Sequence, residues 1–304
     1  MTTIAPPPPG PPAASAPPPL SPGSRTAVRA LLVITASALV VGCVVALGVT
    51  SWGVSTLRVA ADEKTLPAST KALVIDIGNV PAAVRITADR DAREPRVRMR
   101  LLNSSGAGDR NLQITEQAGT TRLSVDGAPS PFAGWDGFRL GHWDSAGEVN
   151  VILPPELARR LSVTVRQHRG VLVTQTDLDQ VVVDTTDGDV VLGGGARRVE
   201  IHTQDGDVAT REPASVTESF VVDTVDGDVT VDFKDAAPRT VDATTGTGDV
   251  AISLPAPGPY LVNASGGTTS VQVPKTNDAT RAAATVTVRS DTGDVSVDGL
   301  SRPR

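Results

Sequence analysis

The chain has 304 residues, of which 34 are acidic and 28 basic, and its formal net charge at pH 7 is −6. One cysteine and three histidines exclude an internal disulfide framework and a Cys/His zinc module, and the acidic balance argues against nucleic acid as a partner. Only four Phe, three Trp and one Tyr are present, so a core must be built from Val, Ile, Leu and Ala. Together with 28 glycines, this composition favours short strands and turns.

The first segment of the chain is rich in proline. Residues 1–24 contain ten prolines and no charged side chain, so they cannot bury an apolar core. We predict a Pro-rich disordered tail over residues 1–28, partly in the polyproline II conformation. Such a tail serves either as a low-complexity spacer or as a docking site for a proline-binding partner.

The next segment is long and apolar enough to cross a membrane. No charged residue occurs between Arg29 and Arg58, and roughly 20 apolar residues at about 1.5 Å each span a hydrocarbon core of about 30 Å. We therefore predict one transmembrane helix over residues 29–54. The flanking positive charges are nearly balanced, so the orientation is assigned from the β-rich region that follows, which is of the kind that is exported. The protein is expected in the cell membrane of a bacterium as a single-pass signal anchor, with its N-terminus cytoplasmic and its C-terminal domain extracytoplasmic.

Two kinds of processing compete with a permanent anchor. Residues 40–43 read Val-Val-Gly-Cys and resemble a lipobox, in which Cys43 would be lipidated after signal removal. Residues 59–61 read Val-Ala-Ala and resemble a signal-peptidase site. The apolar run continues past Cys43, which argues against the lipobox. The long charge-free run after a 29-residue leading segment favours an uncleaved anchor over the signal-peptidase site.

A polar linker is predicted over residues 55–70, followed by an ectodomain over residues 71–300. Apolar residues alternate with polar ones in short segments of this ectodomain, and hardly any segment shows helical spacing. The segments are 72–77, 83–86, 97–102, 112–114, 123–125 and 149–153. The ectodomain is therefore predicted to be all-β.

A six-residue motif recurs in the second half of the ectodomain. Thr-x-Asp-Gly-Asp-Val occurs three times, and the variants TGTGDV and SDTGDV follow. The glycines of the five copies are 18, 21, 21 and 45 residues apart. Two degenerate copies centred on Gly170 and Gly267 extend the series to seven. The five motif glycines are Gly188, Gly206, Gly227, Gly248 and Gly293.

The residues before each glycine keep a constant pattern. The positions seven and five residues before the glycine are apolar in all seven copies, for example Phe220 and Val222 before Gly227. The position four residues before it is mostly polar, as in Asp223 and His202. This alternation with a period of two predicts strands that bury one face.

The motif predicts turns between such strands. Glycine adopts positive φ without a steric penalty, and the preceding aspartate tolerates the same region and bonds its own backbone. Asp-Gly also suits a two-residue hairpin, but a recurrence near 20 residues favours coils that stack on one another. We predict a β-solenoid, like a single-stranded β-helix, with an elongated β-sandwich as the alternative.

These repeats, after a single N-terminal span and a β portion ending in Val-Asn-Val-Ile-Leu-Pro at residues 149–154, resemble the bacterial putative-adhesin family of β-strand repeat proteins. The resemblance covers residues 71–300 and implies a membrane-anchored, β-repeat fold. It brings no catalytic residues, and the function of that family is largely unassigned.

Aspartates flank the turn glycines and are candidates for a functional surface. If the coils stack at about 4.8 Å, these carboxylates form columns that repel one another, and Ca²⁺ would relieve the repulsion. Turn chemistry alone also explains each aspartate, so no cofactor and no metal site is predicted. The aspartates are Asp187, Asp189, Asp205, Asp207, Asp226, Asp228, Asp249 and Asp294.

Four of the eight aromatic residues lie close together at Phe132, Trp135, Phe138 and Trp143. Exposed rings at this place would bind a glycan or a protein surface. Alternatively, the segment covers one end of the stack as a cap, which is the interpretation we favour.

No catalytic motif supports an enzyme. The three histidines are far apart, and neither a nucleophile elbow nor a phosphate-binding loop occurs. The predicted function is a non-enzymatic structural or adhesive role in the cell envelope, with an envelope glycan or protein as ligand. The alternative is an envelope sensing and signalling accessory protein whose Pro-rich tail docks a cytoplasmic partner.

Overall fold

The alternating segments form strands in the computed structural model, which describes residues 57–104, 111–126 and 147–300. The predicted strand segments are confirmed, most of them with one or two residues added at their ends. The first half of the described chain contains β1 (Leu57–Thr65), β2 (Ala72–Gly78), β3 (Ala82–Ala88), β4 (Arg96–Ser104), β5 (Asn111–Gln117), β6 (Thr120–Asp126), β7 (Gly147–Leu153) and the short helix α1 (Pro155–Ala158).

The second half contains the motif repeats, and its strands are β8 (Ser162–Gln175), β9 (Leu178–Leu192), β10 (Gly195–Asp205), β11 (Val208–Thr210), β12 (Ser215–Asp226), β13 (Val229–Asp232), β14 (Thr240–Thr247), β15 (Val250–Leu254), β16 (Leu261–Ser265), β17 (Thr269–Val271), β18 (Thr285–Ser290) and β19 (Val295–Gly299). The prediction of an all-β ectodomain is confirmed for the described residues.

Each repeat contributes a strand before the motif glycine and a strand after it. The strands before the glycine pair in parallel and form the first ladder, in the order β5-β6-β2-β8-β9-β10-β12-β14-β18-β16. The strands after the glycine form the second ladder, in the order β1-β4-β7-β3-β8-β9-β11-β13-β15-β19-β17. β8 and β9 are long enough to take part in both ladders. Only at the β5 and β1 end are described pairs antiparallel, namely β5 with β6 and β4 with β1 and β7.

The pairing confirms the predicted register over most of the repeats. Val222 of β12 pairs with Ile201 of β10 and with Ala243 of β14, so the residues five before each glycine lie side by side. His202 pairs with Asp184 and Asp223 in the outward row, also as predicted. The inward rows of both ladders share one core of Val, Ile, Leu and Ala. Phe220 extends this core by an edge-to-face contact with Phe233, whose ring centroid lies 5.2 Å away.

The order of the last two repeats differs from the order along the chain. β18 and β19, the strands on either side of Gly293, pair directly with β14 and β15, the strands on either side of Gly248. β16 and β17, the strands on either side of Gly267, pair with the outer side of β18 and β19. Val262 pairs with Val286, so the Gly267 repeat is also two residues out of the predicted register, because its turn is shorter than the motif.

The same inversion occurs at the opposite end. β2 and β3 pair with β8 on one side and with β6 and β7 on the other. The chain therefore passes β2 and β3 when it runs from β7 through α1 to β8. Ala158 and Leu161 are fully buried at this connection and attach it to the core.

The predicted linker over residues 55–70 requires a correction, because β1 lies within it. Two of the three half-buried side chains of β1 are polar: the backbone N–H of Leu112 donates to Asp62 at 3.2 Å, and Lys64 donates to the Leu112 carbonyl. Since these side chains bond a neighbouring strand instead of packing in the core, the segment lacks the apolar alternation that marks the other strands. The linker prediction is wrong for Leu57–Thr65.

The predicted tail and transmembrane helix lie outside the described residues. Within the part of the chain that the structure describes, there is no helix with the length and apolar character needed to cross a membrane. The anchor over residues 29–54 stays a prediction from the sequence.

Candidate functional site

The motif glycines form a column at the edge where the first ladder turns into the second. A Cβ atom on Gly227 would lie 2.2 Å from the carbonyl oxygen of Gly206, and one on Gly248 would lie 2.3 Å from that of Gly227. Their φ angles, +148° for Gly227 and +131° for Gly248, are also in the region that favours glycine. Glycine is therefore required at this column for close stacking as well as for the turn.

The threonine that opens each motif is buried behind the glycine column. Thr224 donates to the carbonyl of Asp226 at 3.3 Å, and Thr245 donates to the carbonyls of Gly227 and Thr247 at 2.9 and 3.0 Å. In the last motif copy Ser290 donates to the carbonyl of Gly248 at 2.7 Å. The carbonyls of Asp226 and Thr247 also accept the backbone N–H groups of Gly206 and Gly227, so the hydroxyls add a second hydrogen bond at these turns.

The aspartates after the glycines form a hydrogen-bonded row, which we name the aspartate ladder. Oδ1 of each of its five aspartates accepts the backbone N–H of the residue at the same position in the next coil. The distances are 2.8 to 3.0 Å, and the series runs Asp189, Asp207, Asp228, Asp249 and Asp294, ending at the N–H of Thr268. Each carboxylate is exposed and accepts a backbone N–H from the neighbouring coil.

The aspartates before the glycines form a second exposed row beside the ladder. Asp187, Asp205 and Asp226 occupy equivalent positions in adjacent coils. Nε of Arg169 donates to Asp187 at 2.8 Å from the preceding coil. The two rows together make an acidic ridge along the turns, and the structure brings all the predicted turn residues onto it.

Clusters of three or more His, Cys, Asp or Glu side chains that could hold a metal ion are absent among the described residues. His202 faces outward, with Nε2 at 3.1 Å from Oε1 of Glu200. His168 Nδ1 lies 3.1 Å from the hydroxyl of Thr186. Among the described residues, no carboxylate is hydrogen-bonded to His168, so its contact with Thr186 is not part of a nucleophile, base and carboxylate triad.

An ion-pair network that was not predicted from the sequence crosses three coils. It lies near the first residues of β9, β10 and β12, away from the motif turns of the acidic ridge. Arg197 donates to both carboxylate oxygens of Asp179, at 2.9 and 3.1 Å, and to Glu218 at 2.9 Å. Arg198 donates to the same oxygen of Glu218 at 2.8 Å. The hydrogen bond from Arg197 lowers the pKa of Asp179, and those from Arg198 and Arg197 lower the pKa of Glu218. The 18- to 21-residue spacing of these charges is the signal that could have revealed the network.

Two clefts open on the outer faces of the ladders. The cleft on the second ladder has a volume of about 620 Å³ and is lined by Asp232, Ser253, Gln272 and Asp298, among others. The cleft on the first ladder has a volume of about 280 Å³ and contains Gln167 and His202. The first-ladder cleft is lined in part by the opening residues of motif copies, such as Thr203 and Gln204, whereas none of the residues lining the second-ladder cleft belongs to a motif copy.

The predicted aromatic site at Phe132, Trp135, Phe138 and Trp143 lies outside the described residues. β6 ends at Asp126 and β7 begins at Gly147, so these aromatic residues fall between two described strands in the sequence. Its assignment as a cap or as a binding site stays a prediction.

Comparison with known proteins supports the predicted resemblance over part of the chain. Residues 159–298, a little under half of the chain, match the model of the family Toastrack DUF4097. The matched region contains all seven motif repeats. No curated protein matches the chain.

Several solved structures are similar to this chain at low identity. A putative adhesin from Bacteroides fragilis is 12% identical with a TM-score of 0.46, and the alignment covers 80% of this chain and 97% of that one. A putative cell adhesion protein from Clostridium sporogenes is 12% identical with a TM-score of 0.32, covering 80% and 100% of the two chains. A putative lipid binding protein from Parabacteroides distasonis is 11% identical with a TM-score of 0.37, covering 79% and 97%. TM-scores below 0.5 do not establish a shared fold.

Proposed function

We propose that this protein is a membrane-anchored, extracytoplasmic β-solenoid with a non-enzymatic, adhesive or structural role in the bacterial cell envelope. The acidic ridge carries the proposal. It is a long, regular, exposed row of carboxylates, built by coils that stack with one another and held by backbone hydrogen bonds.

The geometry of the ridge fits the binding of an extended partner. In each member of the aspartate ladder, Oδ1 is bonded to the protein, which leaves the second oxygen available to a ligand. Repetition along the stack offers many equivalent contacts to a polymer, and weak contacts that repeat raise the overall affinity. A fixed row of this kind needs no closed active site.

The membrane location is proposed from the sequence. The apolar run over residues 29–54 is expected to anchor the chain, with the repeats outside the cytoplasm. The test is fractionation of cells that produce the full-length chain. We expect it in the membrane fraction after carbonate washing, and protease added to spheroplasts should degrade the repeats. Recovery in the soluble fraction, or complete protection from protease, would contradict this location.

Binding by the ridge is tested with the double variant Asp207→Asn, Asp228→Asn. Asparagine keeps the side-chain oxygen that accepts the backbone N–H but removes the charge, so the fold is retained. Cells that display the full-length chain should bind immobilised envelope material, and the double variant should bind it much less. The matched control is Asp242→Asn, which removes an exposed charge from β14, away from the ridge. Equal binding by all three proteins would show that the ridge is not the binding surface.

The second candidate function is envelope sensing, and the proline-rich tail favours it. Ten prolines without a charge in residues 1–24 suit recognition by an aromatic-lined groove. Deletion of residues 2–24 should leave adhesion unchanged and abolish signalling if the tail docks a cytoplasmic partner.

The aromatic segment with Trp135 and Trp143 is the other proposed ligand site, and a glycan or protein ligand is expected there if it is exposed.

A further inference from the structure

Three arginines lie side by side on the outer face of β4. Arg96, Arg98 and Arg100 alternate with residues whose side chains are buried in the core. Because successive residues of a strand point to opposite faces, all three guanidinium groups project outward from the second ladder. Arg98 and Arg100 are exposed, and Arg96 is half-buried. β4 therefore presents a row of positive charge next to β1, at one end of this ladder.

The acidic side chains around this row compensate only part of its charge. Glu63 of β1 lies 3.1 Å from Nε of Arg98 and 3.9 Å from Nη1 of Arg96. Glu148 of β7 is opposite Arg100 in the ladder but forms its ion pair with an arginine of β3, and Arg100 makes no ion pair among the described residues. Four arginines thus face two glutamates, and two positive charges remain uncompensated on this face.

The repeats that follow carry the opposite charge. Residues 161–300 contain 21 acidic and 10 basic side chains, and the acidic ridge lies among them. A negatively charged surface would therefore repel the repeats and attract the outer face of β4. This charge asymmetry indicates an anionic partner for the β1 and β4 end of the stack.

An exposed apolar side chain lies on the same face. Val59 of β1 is 65% exposed, and among the described residues only one other large apolar side chain is exposed to this extent. Ala61 pairs with Arg100 and Glu63 with Arg98, so Val59, two residues before Ala61, also points to the side of the arginines. Arginines beside an exposed apolar side chain match the surface of a bilayer, which offers phosphates next to hydrocarbon.

The chain keeps this face near the predicted membrane anchor. β1 begins at Leu57, three residues after the helix predicted over residues 29–54. Val59 is five residues beyond that helix, and five extended residues span at most about 18 Å. A lipid surface is therefore always within reach of β1.

We propose that the outer face of β1 and β4 binds the anionic headgroups of the bilayer in which the chain is anchored. We name this surface the arginine face, and it consists of Val59, Ala61, Glu63, Arg96, Arg98 and Arg100. Its guanidinium groups donate to lipid phosphates, where one guanidinium can bond two oxygens at once. The proposal rests on the membrane anchor inferred above and adds the surface that meets the lipid, while repulsion keeps the acidic repeats off the bilayer.

The test is spin-label accessibility of the full-length chain in lipid nanodiscs, with one chain per disc. Cys43→Ser removes the native thiol, and Ala61→Cys places the label on the arginine face. Discs of phosphatidylcholine are compared with discs that contain equal amounts of phosphatidylcholine and phosphatidylglycerol. Two uncompensated charges should favour the bound state by roughly 30-fold on the anionic bilayer. Collisions of the label with a neutral nickel chelate should therefore become severalfold rarer there, whereas a label at the exposed Thr217 of β12 should show no difference.

Charge removal shows whether the arginines cause this protection. Replacement of all three β4 arginines by Gln should abolish it, and so should 0.5 M NaCl with the unaltered face, because salt screens the attraction. Circular dichroism confirms that the triple variant is folded. The matched control replaces three exposed arginines of the repeats by Gln and should keep the protection; these are Arg211, Arg239 and Arg281.

Failure of the arginine face and failure of the anchor give different results. A chain that enters both kinds of disc but is equally accessible at position 61 in both refutes the face and leaves the anchor intact. Protection that persists in the triple variant and at high salt also overturns the proposal, as does protection that requires two chains in one disc, since the partner would then be a second copy. A chain that enters neither kind of disc refutes the anchor and the face together.

Discussion

The middle of the stack and its two ends are built by different rules. From β9 to β15 each coil follows its predecessor both along the chain and in space. These coils contain the glycine column, the threonine row and the aspartate ladder. At each end one coil is placed out of order: β2 and β3 lie inside β6 and β7, and β18 and β19 lie inside β16 and β17. The motif therefore sets how two coils fit together, but it does not set which coils become neighbours.

The rows also change at the ends. The aspartate ladder begins at Asp189, because the preceding coil has Val171 at the paired position, and it ends at Thr268. Ala82 takes the place of a motif glycine beside Gly170. The coil of β8 thus lacks the motif aspartate even though the next coil is paired with it at Val171. The following substitutions test this contrast.

The largest effect is expected for Val222→Asp in the middle of the stack. Val222 is fully buried between Ile201 and Ala243, so an unpaired carboxylate there should cost about 4 kcal/mol or more and unfold the stack. Chemical denaturation followed by circular dichroism measures the loss. The neighbouring outward Asp223→Ala should change stability by less than about 0.5 kcal/mol. Equal tolerance of both would mean that the register is wrong by one residue.

Gly227→Ala should be the next most damaging change. Its Cβ would lie 2.2 Å from the carbonyl oxygen of Gly206, at a φ that alanine rarely adopts, so we expect a loss of about 3 kcal/mol. Gly299→Ala is the control, since a Cβ there meets no atom within 4 Å. The comparison requires only the two denaturation midpoints, and a similar midpoint for both variants would refute close stacking at the column.

Substitutions at Gly293 and Gly267 test the inverted order at the end of the stack. A Cβ on Gly293 would lie 1.9 Å from the carbonyl oxygen of Gly248, whereas one on Gly267 has 3.3 Å to its nearest atom. Gly293→Ala should therefore cost about 2 kcal/mol more than Gly267→Ala. If coils stacked in chain order, Gly267 would lie between Gly248 and Gly293 and its replacement would be the more damaging of the two.

The aspartate ladder should contribute a smaller amount per residue. Asp228 accepts the N–H of Asp249 at 2.8 Å, so Asp228→Ala should lose about 1 kcal/mol in thermal or chemical unfolding. Asp226, two residues earlier on the same turn, has no side-chain hydrogen bond in the described structure, and Asp226→Ala should stay within about 0.5 kcal/mol. A larger loss at Asp226 than at Asp228 would contradict the ladder as the stabilising row.

The smallest effect is expected from the ion pairs around Arg197 and depends on pH. The folded pKa values of Asp179 and Glu218 are lowered, so their contribution is fully present above the unfolded pKa values of about 4 and is lost as the pH falls through the folded values. Arg197→Met should lower the unfolding temperature at pH 7 by more than it does at pH 2.5.

The control for this pH dependence is Arg239→Met. Arg239 is exposed and makes no ion pair in the part of the chain that the structure describes. Its replacement should shift the unfolding temperature equally at both pH values. A shift of Arg197→Met that does not vary with pH would show that the network adds nothing through its charges.

Much of the repeat region could be predicted from local patterns. The apolar residues five and seven before each glycine alternate with polar ones, and this alternation indicated both the strands and the side that is buried. The site was predicted only in part. The ion pairs around Arg197 were not predicted, because each charge lies in an ordinary alternating segment and only the pairing of β9, β10 and β12 brings the charges together.

The sequence alone determined the all-β ectodomain, the coil length and the residues of the acidic ridge, since those follow from local sterics and from a period of two. The tertiary structure decided the order of the coils at both ends, the strand at Leu57–Thr65 and the ion-pair network around Arg197. Their causes are contacts between residues 18 to 90 positions apart, such as Arg197 with Asp179, Asp294 with Asp249 and Ala72 with Ser162. A parallel ladder accepts any coil whose rows match, so the choice among matching neighbours is made by the length of the connections and by which edge the chain can reach.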